Sequence, residues 1–389
     1  MRFSPTAFFA VVLIAVSPVF AGDWGTAALM VIVERESGSV VVVDSAQDHK
    51  VLGKIGGLGV LHHAKISFSR DARYAYLISR DGLLSKIDLL KLELSAQTKV
   101  GESSIGLAVS QDNKTIAVSN YKPGNIVFVA NDTFKIVKTI DADKSKTVGI
   151  VDAPDNLFVV GLMDANAVWV IDANDPKFPV IRKYEDIGEK PYDGLLTPDG
   201  RYYIAGLFNS PWVTMIDLWN MDSPTRVPLP KLEVEAGEGE KPVLKIPHLA
   251  GWVVSGDEIY APVIGGAGLA VINKTTLKVS KTIKLRGFPV FSMTSPDSRT
   301  MWVNYVMGDF HDTVDVIDTR SKEVVKTLKP GPGIYHMQFT PKGEAVYISS
   351  NGSDKVFVYD TRTYALIKEI PVKKPSGVFC SDRAHKFGL

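Results

Sequence analysis

The chain has 389 residues, of which 45% are hydrophobic and 22% charged, and its formal net charge is +1. This length suffices for one large core or two ordinary ones. The near-zero net charge offers no electrostatic attraction to nucleic acids or membrane surfaces, so it disfavours both classes of binding protein.

The N-terminus has the pattern of a secretory signal peptide. Arg2 supplies positive charge, residues 7–16 form an apolar run, and small residues precede Gly22, which predicts cleavage after Ala21. The apolar run is too short to cross roughly 30 Å of hydrocarbon as a helix, which disfavours an uncleaved anchor. We therefore predict a signal peptide at residues 1–21 and a mature domain at residues 22–389 that is exported to a bacterial periplasm.

Two landmarks each recur eight times along the chain. The first is an apolar, strand-like run that ends in an acidic or amide residue, at intervals of 44, 43, 41, 45, 56, 45 and 42 residues: Asp44, Asp88, Asn131, Asp172, Asp217, Asn273, Asp318 and Asp360. The second is a turn of the type Ser/Thr-x-Asp-x-Arg/Lys, which begins, in some copies loosely, at Ser69, Ser110, Ala153, Thr197, Ser255, Ser295, Thr340 and Ser381. A period of 40 to 45 residues with alternating apolar strands is typical of propeller blades.

Eight repeats predict an all-β fold, an eight-bladed β-propeller of four-stranded antiparallel blades. A blade cannot bury both of its faces alone, whereas stacking the blades in a ring buries them and leaves only short edges exposed. The 56-residue interval predicts a surface insertion at residues 221–242. The C-terminal segment carries the eighth turn, while the N-terminal strands lack one, so we predict that strands from both termini share the closing blade.

Two histidines occupy the same position in their repeats. His62 lies seven residues before Ser69, and His248 lies seven residues before Ser255. These are the first and fifth of eight turns, so the two blades face each other across the channel. The segment before each turn is predicted to be the innermost strand, which places both histidines at one channel mouth. A flat macrocycle with a central metal would fill the gap between two imidazoles. A structural role for each histidine remains the alternative.

Four nearby residues are weaker candidates for the same site. Asp193 is a possible base, proton carrier or hydrogen-bond acceptor, and Tyr192 a possible stacking or donor group. Lys65 and Arg80 have the charge to pair with carboxylates of a ligand. Each also has a plain structural interpretation, as an exposed carboxylate, a packing tyrosine or a solvated cation.

Other sites are disfavoured by missing motifs. The sequence contains no HExxH motif, no zinc-type Cys/His cluster, no GxSxG motif and no Walker motif. The one cysteine, Cys380, allows no disulfide within the chain and is interpreted as a core residue, and no CxxCH motif for a c-type heme is present. The roles of Asp152 and His336 stay open.

One segment resembles a known family. The run HHAKISFSRDARYAYLISRDGLLSKIDL resembles the heme d1 domain of cytochrome cd1 nitrite reductase, an eight-bladed propeller. The resemblance implies that His62 is the axial ligand of the heme iron and that Lys65 and Arg80 contact the macrocycle carboxylates. The segment IPHLAGW resembles the one that holds a distal histidine, here His248. In KPYDG, which resembles the segment of the second distal histidine, Asp193 stands where that histidine is missing, which disfavours nitrite reduction.

The chain looks most like the family members that act in heme d1 biosynthesis without a c-type heme domain. This resemblance implies binding of heme d1 or a tetrapyrrole precursor, a late modification or transfer step, and contacts with other heme d1 maturation proteins and the nitrite reductase of denitrification. Catalysis with Asp193 or His248 as base and a chaperone role without catalysis both remain open. The alternatives from other classes are a protein-interaction module and a propeller lactonase-type hydrolase.

Overall fold

A computed structural model describes residues 24–230, 253–263, 267–305 and 308–386. These residues form eight four-stranded antiparallel sheets, so the predicted eight-bladed propeller is confirmed. The predicted signal peptide, His248 and the larger part of the predicted insertion lie outside the described residues.

The strands follow the chain from the closing blade, through blades 1 to 7, back to the closing blade, which we call blade 8. Its first three strands are β1 (Leu29–Glu34), β2 (Ser39–Asp44) and β3 (Lys50–Ile55). Blades 1 and 2 consist of β4 (Lys65–Phe68), β5 (Tyr74–Ile78), β6 (Leu83–Asp88), β7 (Glu93–Lys99), β8 (Ser103–Val109), β9 (Thr115–Lys122), β10 (Asn125–Ala130) and β11 (Ile136–Asp141). Blades 3 and 4 consist of β12 (Thr147–Ala153), β13 (Leu157–Leu162), β14 (Ala167–Asp172), β15 (Val180–Tyr184), β16 (Pro191–Leu196), β17 (Tyr202–Leu207), β18 (Trp212–Asp217) and β19 (Thr225–Pro228).

The second half of the ring repeats this arrangement. Blades 5 and 6 consist of β20 (Val253–Ser255), β21 (Glu258–Val263), β22 (Gly268–Asn273), β23 (Lys278–Lys284), β24 (Pro289–Thr294), β25 (Thr300–Tyr305), β26 (Val314–Asp318) and β27 (Val324–Leu328). Blade 7 consists of β28 (Ile334–Phe339), β29 (Ala345–Ser350), β30 (Lys355–Asp360) and β31 (Leu366–Pro371), and β32 (Pro375–Cys380) completes blade 8. Two short 3-10 helices span Asn351–Ser353 and Ser381–His385.

Blade 8 joins the two ends of the chain, as predicted. Its strand order is β3-β2-β1-β32, and β1 pairs antiparallel with β32, with Met30 opposite Cys380 and Val31 opposite Phe379. Cys380 is fully buried in an apolar cluster, which confirms its interpretation as a core residue. Backbone hydrogen bonds between the terminal strands therefore close the ring.

The serine or threonine turns mark one end of the propeller. In blades 1 to 7 the first strand is the innermost, and the innermost strands of most adjacent blades contact each other. In blade 1 the Ser69 hydroxyl donates to Asp71 Oδ1 at 2.5 Å, and the Tyr74 amide donates to Ser69 Oγ at 2.9 Å. Such self-capped turns explain why this motif recurs in the sequence. We call this end the turn end and the opposite end, where the inner strands begin, the mouth end.

In most blades the acidic or amide landmark caps the connection that follows it. The Asp88 carboxylate accepts the backbone N–H groups of Leu90 and Lys91 just after β6, at 3.0 and 3.2 Å. A residue with left-handed backbone conformation lies shortly before the outermost strand in every blade: His49, Leu92, Phe134, Phe178, Met221, Leu277, Lys322 and Tyr364. An Asp or Asn side chain that folds back on its own backbone makes such a tight connection possible.

Glu34, at the end of β1, holds the closing blade together. Its carboxylate pairs with Lys54, accepts the hydroxyls of Ser37 and Ser39, and accepts the Lys373 amide at 2.9 Å. Burial raises the pKa of Glu34, but these four partners together lower it from 4.5 to about 2. A carboxylate with a lowered pKa stabilises the fold above its unfolded-state pKa, and this stabilisation is lost as the pH falls through the folded-state value.

We expect Glu34→Gln to lower the free energy of unfolding by about 3 kcal/mol at pH 7, which is the size of the pKa shift. The difference from wild type should shrink as the pH falls from about 4.5 towards 2. Urea denaturation across this pH range is the measurement. The exposed neighbour Glu36 supplies the control, because Glu36→Gln should change the unfolding free energy by less than about 0.5 kcal/mol. A pH-independent loss in Glu34→Gln would contradict the assignment.

Candidate functional site

Five of the six predicted site residues lie at the mouth end. Lys65 is the first residue of the inner strand β4, and Tyr192 and Asp193 follow the first residue of the inner strand β16. His62 lies in the connection that leads into β4. Arg80 lies just after β5, whose last residue pairs with Lys65. The sixth residue, His248, lies outside the described residues.

His62 is exposed at this end and contacts an arginine from the closing blade. The Arg35 Nε donates to His62 Nδ1 at 3.2 Å, and the Arg35 guanidinium lies 5.5 Å from the centre of the Tyr335 ring. A neutral imidazole that accepts at Nδ1 carries its proton on Nε2. Coordination of a metal through Nε2 therefore requires the bond from Arg35 to break. Sequence analysis missed Arg35, because nothing in its local pattern shows that blade 8 reaches blade 1.

Lys65 is a half-buried cation among charges from several blades. Burial lowers its pKa from 10.5 to about 8, Asp193 and Asp152 raise it, and Arg383 of the C-terminal 3-10 helix lowers it further. None of the ion pairs found within the described ranges includes Lys65. A half-buried ammonium group without such a pair is suited to an anionic group of a ligand.

Arg80 begins a row of aromatic rings that crosses from blade 2 to blade 4. Its guanidinium lies 4.6 Å from the centre of the Tyr121 ring. The Tyr121 and Tyr192 ring centres are 6.5 Å apart, and those of Tyr192 and Phe208 are 4.6 Å apart. A cation held over a ring face is an attractive, orienting contact. We call Tyr121, Tyr192 and Phe208 the aromatic row; the sequence indicated only Tyr192.

Both tyrosine hydroxyls of this row stay protonated at neutral pH. Burial raises the pKa of Tyr192, and the negative charge of Asp193 raises it further. Burial also raises the pKa of Tyr121, although the Tyr192 hydroxyl and Arg80 act in the opposite direction. The two hydroxyls are thus hydrogen-bond donors, not phenolates.

Asp193 is the carboxylate that connects these groups electrostatically. Its charge raises the pKa of Lys65 and of three tyrosines, namely Tyr121, Tyr192 and Tyr203. Tyr203, on the neighbouring strand β17, is almost fully buried beside Gly194, where an added Cβ would lie 2.1 Å from its ring. The glycine after Asp193 therefore lets the ring pack against β16. The charge of Asp193 acts on Lys65, so the two side chains are close enough to interact electrostatically.

Asp152 has two hydrogen-bonding partners near the turn end of the propeller. Its Oδ2 lies 2.6 Å from the Arg70 guanidinium and also accepts the Gln111 amide. Arg70 further donates to the carbonyls of Val109 at 2.7 Å and of Ala384 at 3.2 Å. The turn end is thereby tied to the C-terminal segment, which gives Asp152 a structural role.

His336 is buried between two aromatic rings. Its ring centre lies 5.3 Å from that of Phe379, in a stacked arrangement, and 5.3 Å from that of Phe291, edge on. The Val378 amide donates to His336 Nδ1 at 3.4 Å. These contacts join blades 6, 7 and 8 and indicate packing as the role of His336.

Comparisons with known proteins give the family. The family described as cytochrome D1 heme domain matches residues 24–384. Protein NirF of Pseudomonas aeruginosa is 40% identical over 374 residues, and Protein NirF of Stutzerimonas stutzeri is 39% identical over 379 residues, with 94% of both chains covered in each case. The chain belongs to the NirF proteins of the cytochrome D1 heme domain family. The family resemblance found in residues 62–89 is thereby confirmed for the whole propeller.

Two further relatives extend the comparison. The dihydro-heme d1 dehydrogenase of Pseudomonas aeruginosa is 29% identical over 364 residues, which cover 90% of this chain and 70% of that protein. The solved structure of the dihydro-heme d1 dehydrogenase NirN in complex with DHE is similar with a TM-score of 0.80 at 26% identity, over 93% of this chain and 77% of that one. A Desulfotomaculum acetoxidans protein, with a TM-score of 0.55 at 15% identity, shares the fold alone. Within the described ranges, no helix is long and apolar enough to span a bilayer.

Proposed function

We propose that this chain binds heme d1 or a tetrapyrrole precursor across the mouth end and takes part in a late modification or transfer step of heme d1 biosynthesis. The observation that carries the proposal is the set of groups collected there from different blades. His62 offers an imidazole for a central iron, Lys65 and Arg80 offer cations for carboxylates, and Tyr192 and Asp193 offer a ring, a donor and a carboxylate. Imidazole and iron, and guanidinium and carboxylate, are favourable pairs.

The relatives support the same class of ligand. The family is described as a heme domain, and one relative is named as a dehydrogenase of dihydro-heme d1. That relative shares the propeller with this chain. A bound tetrapyrrole supplies a metal centre and a conjugated ring, while the protein supplies orientation and charge.

We assign the individual roles as follows. His62 would hold the iron of a bound macrocycle, and His248 would act on the bound tetrapyrrole. Lys65 and Arg80 anchor carboxylates, and Tyr192 contacts the macrocycle through its ring or hydroxyl. Asp193 or His248 serves as the base if the step moves a proton. In the chaperone form of the proposal the same contacts hold the cofactor until it is transferred.

Arg35 adds one structural condition to this assignment. It now donates to His62 Nδ1, and iron coordination through Nε2 requires that bond to break. A guanidinium released in this way lies beside the mouth, where a ligand carboxylate is its natural bidentate partner.

The assignment of the remaining chain follows the sequence. Residues 1–21 act as a signal peptide cleaved after Ala21, and residues 22–389 work in the periplasm as a single propeller without a c-type heme. Other heme d1 maturation proteins and the nitrite reductase are the proposed partners. Mass determination of the protein recovered from a periplasmic fraction tests this assignment, with a first residue of Gly22 as the expected result.

The test of ligand binding is an absorbance titration of the protein beginning at Gly22 with ferric heme d1. We expect a shifted spectrum that saturates at one heme per chain. A spectrum that does not change at micromolar heme d1 would contradict the proposal and favour a protein-interaction module. Incubation with a heme d1 precursor and product analysis then separates catalysis from transfer.

Lys65 allows a prediction about pH. We expect Lys65→Met to weaken binding of heme d1 roughly 10- to 100-fold, the size of a lost charge-assisted hydrogen bond, and to leave binding of its methyl ester unchanged. In wild type, affinity for the free acid should fall as the pH rises through about 8, where Lys65 loses its charge, and the variant should lack this step. Spectral titrations from pH 6 to pH 9 measure both effects. Lys114→Met, an exposed lysine at the turn end, is the control; an equal loss in both variants would contradict the role of Lys65.

A further inference from the structure

The turn between β5 and β6 has a fixed shape that its own side chains maintain. The Ser79 hydroxyl donates to Asp81 Oδ1 at 2.6 Å, and the Leu83 amide donates to Ser79 Oγ at 3.0 Å. Gly82 has a φ of +80°, and a Cβ added there would lie 2.2 Å from the Gly101 carbonyl oxygen. The turn therefore requires glycine at this position, and its geometry fixes where the Asp81 carboxylate points.

This turn holds the segment before the paired histidines at two points. The Val60 amide donates to Asp81 Oδ1 at 2.9 Å, and the Arg80 amide donates to the Val60 carbonyl at 2.8 Å. Gly59 adopts a φ of +80°, and an added Cβ there would lie only 2.7 Å from Asp81 Oδ1. Both backbone groups of Val60 are thus bound by the turn between β5 and β6.

The two hydrogen bonds between Val60 and this turn lie directly beside the histidines. Val60 is two residues before His62, and Leu61 between them is 1% exposed within the apolar core. On the other side the chain enters β4 at Lys65, which pairs with Ile78. The histidine segment therefore spans two fixed points, and the Asp81 side chain makes one of them.

We propose that Asp81 is a positioning residue that holds the segment of His62 and His63 in place for metal coordination at the mouth end. The inference rests on the proposed function and adds a residue for which the sequence indicated no role. The charge state of Asp81 agrees with this role. Burial raises the pKa of its carboxyl, but the hydrogen bonds from the Ser79 hydroxyl and the Val60 amide outweigh burial, so the net shift is downward. An ionised carboxylate is the stronger acceptor for the Val60 amide.

Blade 3 contains a matched contact without a histidine. The Lys146 amide donates to Asp164 Oδ2 at 3.1 Å, and Lys146 immediately precedes the inner strand β12. Asp164, like Asp81, lies in the connection between the second and third strands of its blade. Asp164→Ala is therefore the control for a merely structural loss.

The experiment compares Asp81→Ala, Asp81→Asn and Asp164→Ala in titrations with two probes, ferric heme d1 and the iron-free macrocycle. We expect Asp81→Ala to raise the Kd for ferric heme d1 roughly 10-fold, as for other groups that orient a metal ligand, and to alter the electron paramagnetic resonance signal of the iron. Its Kd for the iron-free macrocycle should stay within about twofold of wild type, because no metal is coordinated. Asp81→Asn keeps an acceptor oxygen and should restore most of the affinity.

The outcomes separate this inference from the proposed function. Asp81→Ala and Asp164→Ala could show equal affinities and equal iron signals at a similar cost in unfolding free energy. That result would overturn the role of Asp81 but not the proposed function. Equal losses for both probes in Asp81→Ala would also overturn it, because metal coordination would then not be the step affected. A wild-type protein that binds neither probe would overturn the proposed function and this inference with it.

Discussion

Replacement of His62 by alanine should remove the proposed iron ligand and weaken binding of ferric heme d1 by roughly 100-fold or more. Even the groups that only orient a metal ligand change metal affinity roughly 10- to 100-fold when they are replaced. His62 is exposed, and its side chain contacts Arg35 of the closing blade. We therefore expect the free energy of unfolding to change by less than about 0.5 kcal/mol. Absorbance and electron paramagnetic resonance spectra of the complex, together with urea denaturation, measure the two quantities.

The adjacent histidine, His63, provides a control for His62→Ala. His63 has the same chemistry one residue further along the chain and is half-buried. His63→Ala should retain the iron signal of wild type, if His62 is the ligand. Loss of that signal in His63→Ala with retention in His62→Ala would contradict the assignment. Arg35→Gln is informative as well: removal of the guanidinium frees Nδ1, so His62 should still coordinate iron.

Replacement of Arg70 by alanine should cause the largest loss of stability, about 3–5 kcal/mol, which is typical when one partner of a buried ion pair is removed. The Asp152 side chain is only 6% exposed, and Arg70 Nη2 lies 2.6 Å from it. The same guanidinium also donates to backbone carbonyls of blade 2 and of the C-terminal segment. The variant therefore leaves a buried charge and releases contacts among three blades and the tail.

Two further variants identify the cause of that loss. Asp152→Asn combined with Arg70→Ala should be less destabilised than Arg70→Ala alone, because the double variant contains no unpaired buried charge. Lys114→Ala, which removes an exposed ion pair with Asp112, should cost less than about 0.5 kcal/mol. Urea denaturation measures all three. A double variant that is at least as unstable as Arg70→Ala alone would show that the carbonyl contacts, not the unpaired charge, account for the effect.

The fold was predictable because its turns are encoded locally. Ser69 with Asp71, and Asp88 with Leu90, make contacts between residues two positions apart, and such contacts repeat with the blade period. The closing blade followed from the same count. The C-terminal turn had no outer strands after it, and the three N-terminal strands had no turn before them. The position of each residue relative to the next turn was enough to predict the end at which Lys65, Tyr192 and Asp193 lie, because the inner strand leads directly into that turn.

The environment of the site was not predictable from the sequence. Arg35 and His62 are 27 residues apart, and Arg70 lies 82 residues from Asp152 and 314 from Ala384. Tyr121, which lies under the Arg80 guanidinium, belongs to another blade. No local pattern reports such contacts, because they form only when the ring closes and brings different blades together.

By itself, the sequence determined the number of blades, their closure, the family and the end of the propeller that carries the candidate site. Each depends on short-range hydrogen bonds or on strand register, which a repeat of fixed period displays directly. Only the tertiary structure decided that Asp152 pairs with Arg70, that His336 packs between aromatic rings, and that Arg35 and Asp81 contact the histidine segment and the residues just before it. These are contacts between blades or across connections, and their geometry exists only in the closed ring.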